Sequence, residues 1–166
     1  MNAEPQASGD RVSSRRNAAD ALIIGGLSVV WGSFSTWGAC SKEPCETDGG
    51  LMHTYERAGV DLGAGFVTAA LGILLAALGI YALLNLDRVV RPGLAVIAAA
   101  SVLATICVHL IRNYVFVEDN GLSGAPYFGL LVTAAGGLLA LAAAARQWQI
   151  RKSDPPPIAN TTQRRL

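Results

Sequence analysis

The chain has 166 residues, of which 52% are apolar and 15% charged, and its net charge is +1. Soluble domains carry about 25% charged residues, so this composition disfavours a soluble protein. The long apolar stretches described next leave no segment of the 50 or more residues that most separate soluble domains need.

Four stretches without Asp, Glu, Lys or Arg follow one another along the chain. A hydrocarbon core about 30 Å thick is crossed by about 20 apolar helical residues, and a charge at its centre costs at least ~2.5 kcal/mol. All 13 basic and 12 acidic residues fall outside the four stretches, so we expect four transmembrane spans. The stretches are Ala21–Ser41, Leu62–Leu86, Pro92–Ile111 and Asn120–Ala145.

The predicted fold is an all-α, four-helix transmembrane bundle over residues 19–148. Residues 1–18 and 149–166 lack apolar periodicity, and the second contains Pro155, Pro156 and Pro157, so both are predicted to be disordered tails. The predicted spans cover about residues 19–38, 62–86, 92–112 and 126–146.

The distribution of charge predicts the orientation. Ten of the 13 basic residues lie in the two tails, in the loop between spans two and three, and at the end of span four (Arg146). Loops rich in Lys and Arg stay on the cytoplasmic side, so both termini are expected in the cytoplasm. The excess of Arg over Lys and the richness in Ala and Gly agree with a high-GC bacterium, so the membrane is expected to be a bacterial cytoplasmic (inner) membrane. The other two loops then face outward.

The first outward loop contains Cys40 and Cys45. Thiols outside the cytoplasmic membrane tend to pair, so a disulfide that closes a short turn is expected. A redox-active pair is the alternative, because four spans with an outward cysteine pair resemble the quinone-linked disulfide oxidases. In that family two residues separate the cysteines of the first pair, and the other outer loop carries a second pair. In this chain the other outer loop, residues 115–126, contains no cysteine.

Span three ends with His109 and Arg112, three residues apart and therefore on one helical face. Two readings are open. The pair forms either an interfacial anchor and helix-end cap, or a candidate outer pocket for an anionic group or a quinone carbonyl.

Spans two and four carry stripes of small residues and a short internal repeat. Phe66–Leu74 matches Leu131–Leu139 at an offset of 65, and Leu27–Val30 matches Ala100–Leu103 at an offset of 73. Two equivalent helical hairpins related by an axis along the membrane normal would give this pattern; a chance match of apolar residues is the alternative. Small residues let helices approach closely, and the helix-packing residues expected are Thr68, Gly72, Ala76, Thr133 and Gly137.

Aromatic residues near the predicted span ends are interpreted as interfacial belts, although Trp31 lies inside span one. The residues are Trp31, Trp37, Tyr81, Tyr114, Phe116, Tyr127 and Trp148. The segment Gly32–Trp37 at the end of span one and Arg146–Trp148 after span four resemble small tryptophan-associated four-helix membrane proteins of actinobacteria. No activity is assigned to that group, so the resemblance implies an accessory membrane protein and no catalytic site.

The predicted function is a non-enzymatic accessory or scaffold protein that packs against other membrane proteins, or against itself, in the cell envelope. Its expected surroundings are the lipid bilayer, with no cofactor, metal or nucleic acid. One alternative is an outward-facing redox or small-ligand protein that uses the region of Cys40, Cys45, His109 and Arg112. A second alternative is a subunit of an oligomeric transporter.

Overall fold

Four long helices make up most of the part of the chain that the structure describes, and the predicted all-α four-helix bundle is confirmed. All four are long and apolar enough to cross a membrane. The computed structural model describes residues 4–40, 55–60, 63–85, 92–111 and 128–153. The helices are α1 (Glu4–Phe34), α2 (Ala64–Leu84), α3 (Pro92–Leu110) and α4 (Phe128–Ser153), and the strands are β1 (Thr36–Cys40) and β2 (Tyr55–Ala58).

The helices surround one core in a closed ring. α1 packs against α2 and α4, and α3 completes the ring by packing against the same two helices. Residues that are fully buried include Leu22, Leu75 and Val102. Many large apolar side chains lie on the outside instead, which is the pattern expected where lipid is the solvent. Examples are Ile24, Trp31, Phe66, Ile73, Leu84, Ile97, Phe128 and Leu138.

Two helices extend beyond the predicted spans. The tail predicted over residues 1–18 is helical from Glu4, and α4 continues past residue 148 to Ser153. Once a helix has formed, each further residue adds a hydrogen bond at little cost, so both helices can continue beyond their apolar stretches. α4 ends at Ser153, two residues before Pro155 in the sequence, and a proline disfavours the helical conformation in the residue that precedes it.

Glycine brings α1 and α2 into backbone contact. A methyl group added at Gly26 would lie 2.7 Å from the carbonyl oxygen of Gly72 and 2.6 Å from the nitrogen of Ala76. Farther along the same interface, a methyl group at Gly79 would lie 3.0 Å from the carbonyl oxygen of Ala19. Side chains cannot fit between backbones at these distances, so small residues hold this interface together.

The interface between α1 and α4 is built in the same way. A methyl group at Gly25 would lie 2.8 Å from the carbonyl oxygen of Gly136, and one at Gly136 would lie 2.7 Å from that of Gly25. Near the other end of the interface, a methyl group at Gly32 would lie 2.7 Å from the carbonyl oxygen of Gly129 and 2.7 Å from the nitrogen of Thr133. α1 is therefore in close contact with a neighbour on both sides.

The two helical hairpins share an equivalent contact. A methyl group at Gly72 would lie 3.0 Å from Cγ1 of Val29, and one at Gly137 would lie 3.2 Å from Cγ1 of Val102. Gly137 follows Gly72 by 65 residues and Val102 follows Val29 by 73, which are the two offsets of the sequence repeat. α2 therefore meets α1 as α4 meets α3, and this contact favours a true repeat over chance.

The repeat is not symmetric in its packing. Gly25 and Gly26 of α1 correspond at the offset of 73 to Ala98 and Ala99 of α3, and both alanines are buried. The methyl groups of Ala98 and Ala99 keep neighbouring backbones away from α3, whereas Gly25 and Gly26 let neighbouring backbones come close to α1. Accordingly, α3 packs less extensively against α2 and α4 than α1 does.

Candidate functional site at the hairpin end

A two-stranded antiparallel hairpin lies at one end of the bundle, which we call the hairpin end. α1 and α3 end there, and α2 and α4 begin there. Thr36 pairs with Ala58 and Cys40 pairs with Tyr55, with a bulge between Thr36 and Gly38. The turn after β2 enters α2 through Gly63, whose φ of 73° lies in the left-handed region that glycine adopts without strain. The all-α prediction did not include this hairpin.

Trp37 sits at the bulge and fills the hairpin end of the core. Its side chain is fully buried, and its indole N–H donates a 2.7 Å hydrogen bond to the carbonyl oxygen of Gly32. A methyl group at Gly59 would lie 2.7 Å from Cδ2 of the indole, so the chain leading into α2 passes directly over the ring. The prediction of Trp37 as an interfacial belt residue is wrong: a bulge reverses the strand's alternation and turns this side chain inward.

His109 also packs against Trp37. The two ring centroids are 5.1 Å apart and the planes meet at 69°, an edge-to-face arrangement that aromatic pairs favour. His109 is 7% exposed, so its side chain is buried at the end of α3.

A pair of hydroxyl groups lies one layer below Trp37. Ser33 and Thr68 are both fully buried, and their side-chain oxygens are 2.7 Å apart. Each hydroxyl also lies within hydrogen-bond distance of a carbonyl oxygen of its own helix: Ser33 of that of Val29 at 2.7 Å, and Thr68 of that of Gly65 at 3.1 Å. Because each hydroxyl has one proton to donate, one of the two donates across to the other while its partner donates to its own helix. Among the described residues, no buried side-chain nitrogen or oxygen lacks a hydrogen-bond partner.

The predicted packing residues are all buried, but they face different neighbours. Thr68 contacts Ser33 of α1, and Gly72 lies against Gly26 of the same helix. Thr133 and Gly137, placed on one stripe by their spacing, diverge. Thr133 lies beside Gly32 of α1, whereas Gly137 faces α3.

The predicted cysteine pair and outer pocket are described only in part. Cys40 is the last residue of β1, while Cys45 and Arg112 lie outside the described residues. The disulfide and the pocket therefore stay predictions. Cys107 is a free thiol on the exposed face of α3.

Sequence reasoning missed the junction formed by Trp37, His109 and Gly59. One sequence signal could have suggested this junction. Trp37 and Gly38 follow the end of a predicted helix, and Gly59 stands in a second segment that could pair with them as a strand. Comparison with protein families, with curated proteins and with solved structures finds no match for this chain.

Proposed function

We propose that the protein is an accessory subunit of a bacterial cytoplasmic membrane, in which a four-helix base holds the β1–β2 hairpin on the outer surface for contact with other membrane proteins. The observation that carries this proposal is the burial of Trp37. Because its indole is hydrogen-bonded to α1 and meets His109 of α3 edge to face, β1 leaves the bundle in one fixed direction.

The packing of the interior favours a structural role for this protein over a role in transport. α1 contacts both α2 and α4 through backbone-to-backbone approaches at Gly25, Gly26 and Gly32. When helix backbones approach this closely, side chains and backbone fill the space between them. A transport pathway would need water in that space. The tryptophan-associated membrane proteins, which this chain resembles at Gly32–Trp37 and Arg146–Trp148, fit the same proposal.

The orientation is part of the proposal and rests on charge. Ten of the 13 basic residues belong to the end opposite the hairpin or to the segments that continue from it. Basic segments remain in the cytoplasm during insertion. The hairpin end then faces outward.

Photo-crosslinking in living cells tests the proposal. Benzoylphenylalanine replaces Phe34, which is 58% exposed at the hairpin end, or Tyr81, which is 50% exposed near the opposite end. We expect discrete protein adducts from position 34 and mostly lipid adducts from position 81. Adducts to lipid alone at both positions, together with a monomer in native detergent, would overturn the proposal.

A second pair of variants asks whether the hairpin junction is required. Trp37→Ala should abolish the protein adducts from position 34 while the chain remains in the membrane. Trp148→Ala removes an indole that is 45% exposed at the opposite end and should leave the adducts unchanged. If both variants keep the adducts, contact with partners does not depend on the hairpin and the proposal fails.

A further inference from the structure

The last turns of α4 carry an aromatic and two basic side chains on one helical face. Trp148, Arg151 and Lys152 are spaced at i, i+3 and i+4, which places them side by side. All three are exposed. Because α4 remains helical through Ser153, this face is held by the same helix that packs against α1 and α3.

Trp148 is fixed at the junction between α3 and α4. A methyl group at Gly93, in the first turn of α3, would lie 3.8 Å from Cζ3 of the indole, so the ring rests beside that turn. The ammonium group of Lys152 lies 5.9 Å from the centroid of the indole ring. A cation at this distance is attracted to the face of the ring, which keeps the charge close to the junction.

The position of this face along the bundle matches that of lipid headgroups. The uncharged stretch of α4 ends at Ala145, and at 1.5 Å per residue Arg151 and Lys152 lie about 9 to 10 Å beyond it. The headgroup layer extends about 5 to 8 Å on each side of the hydrocarbon core, and flexible basic side chains can reach back into it. Tryptophan prefers the boundary between acyl chains and headgroups.

We propose that Trp148, Arg151 and Lys152 form a binding site for the phosphate headgroup of an anionic phospholipid in the leaflet at this end of the bundle. Arg151 supplies a planar donor group that suits phosphate oxygens. Lys152 supplies a second positive charge, and Trp148 covers the start of the acyl chains. A lipid fits better than an acidic protein segment, because the half-exposed indole needs an apolar partner next to the charges.

The test uses the full chain purified in mild detergent and analysed by native mass spectrometry with phosphatidylglycerol or phosphatidylcholine. The wild type should retain phosphatidylglycerol preferentially. The double variant R151A/K152A should lose about 30-fold in affinity for it. The control R16A/R146A removes the same charge from exposed residues on α1 and on another face of α4, and it should keep most of the affinity.

Three outcomes would overturn this site. The first is equal retention of the two lipids by the wild type. The second is an equal loss in the two double variants, which would mean that net charge alone attracts lipid. The third is displacement of phosphatidylglycerol by a soluble glutamate-rich peptide, which would favour a protein partner.

Trp148→Ala should weaken lipid retention severalfold and Trp148→Phe should restore it. This site does not depend on the proposed accessory function, since no second protein is present in the assay.

Discussion

The indole of Trp37 and the imidazole of His109 meet edge to face, with 5.1 Å between ring centroids. One residue belongs to β1 and the other to the last turn of α3. Because α3 lacks the backbone approaches to its neighbours that glycine gives α1, this contact ties the least extensively packed helix to the hairpin. The same indole is hydrogen-bonded to α1, so three elements depend on one side chain.

Trp37 and Trp31 should therefore differ sharply in their contribution to stability. Trp37→Ala removes a fully buried side chain, whereas Trp31 is 70% exposed. We expect Trp37→Ala to lower the free energy of unfolding by about 3–5 kcal/mol, and Trp31→Ala to change it little. Dodecyl sulfate titration of the purified protein, followed by circular dichroism, measures both. Similar losses in the two variants would show that Trp37 does not anchor the hairpin end.

Alanine should be tolerated better at Gly137 than at Gly72, although the two residues are equivalent in the repeat. At Gly72 the new methyl group would lie 2.8 Å from the carbonyl oxygen of Gly26, and backbone must move. At Gly137 its nearest neighbour would be Cδ2 of Leu103 at 3.1 Å, at the end of a side chain. We expect a loss of about 1–3 kcal/mol for Gly72→Ala and less than about 1 kcal/mol for Gly137→Ala.

The same unfolding titration compares these two variants. Gly79→Ala serves as a further test of the α1–α2 interface, because its methyl group would lie 2.9 Å from the nitrogen of Ile23. A larger loss at Gly137 than at Gly72 would contradict the asymmetry between the two hairpins.

The hydroxyl pair Ser33 and Thr68 should contribute only modestly. Either hydroxyl keeps a backbone acceptor of its own helix when the other is removed. A double-mutant cycle with Ser33→Ala and Thr68→Ala should therefore give a coupling free energy of about 0.6 kcal/mol, the average for such bonds between membrane helices. A coupling well above about 1.7 kcal/mol would show that the pair is a main determinant of the α1–α2 interface.

Thiol labelling tests the predicted disulfide and the orientation together. In a Cys107→Ser background, Cys40 and Cys45 are the remaining cysteines. Intact cells treated with a membrane-impermeant maleimide should show no labelling without reductant and two labelled thiols after mild reduction. Labelling only after the cells are opened would place the hairpin end in the cytoplasm, and labelling without reductant would exclude the disulfide.

Much of the fold could be predicted from where charges are absent. Lipid excludes charge so strongly that the four charge-free stretches located all four helices. The ends were harder, because helix growth beyond the bilayer depends on local propensity and on Pro155 rather than on hydropathy. Periodicity also gives the face of a helix without giving its neighbour. For that reason Thr133 and Gly137 shared one predicted stripe, yet one faces α1 and the other α3.

The candidate site was less accessible to sequence reasoning. The side chain of Trp37 points into the core because of a bulge where two strands about 20 residues apart in sequence pair. No local sequence pattern specifies such a bulge. His109 was singled out for its chemistry, but its burial follows from Trp37 and could not be inferred alone.

The glycine contact between α1 and α4 joins two helices that are separated along the chain by α2 and α3. Before α4 is inserted, Gly25 and Gly32 of α1 lack their contacts with Gly136 and Gly129, and lipid covers this face of α1. A chain truncated after α3 would keep this groove open. The close packing around α1 is thus completed only when α4 has joined the bundle.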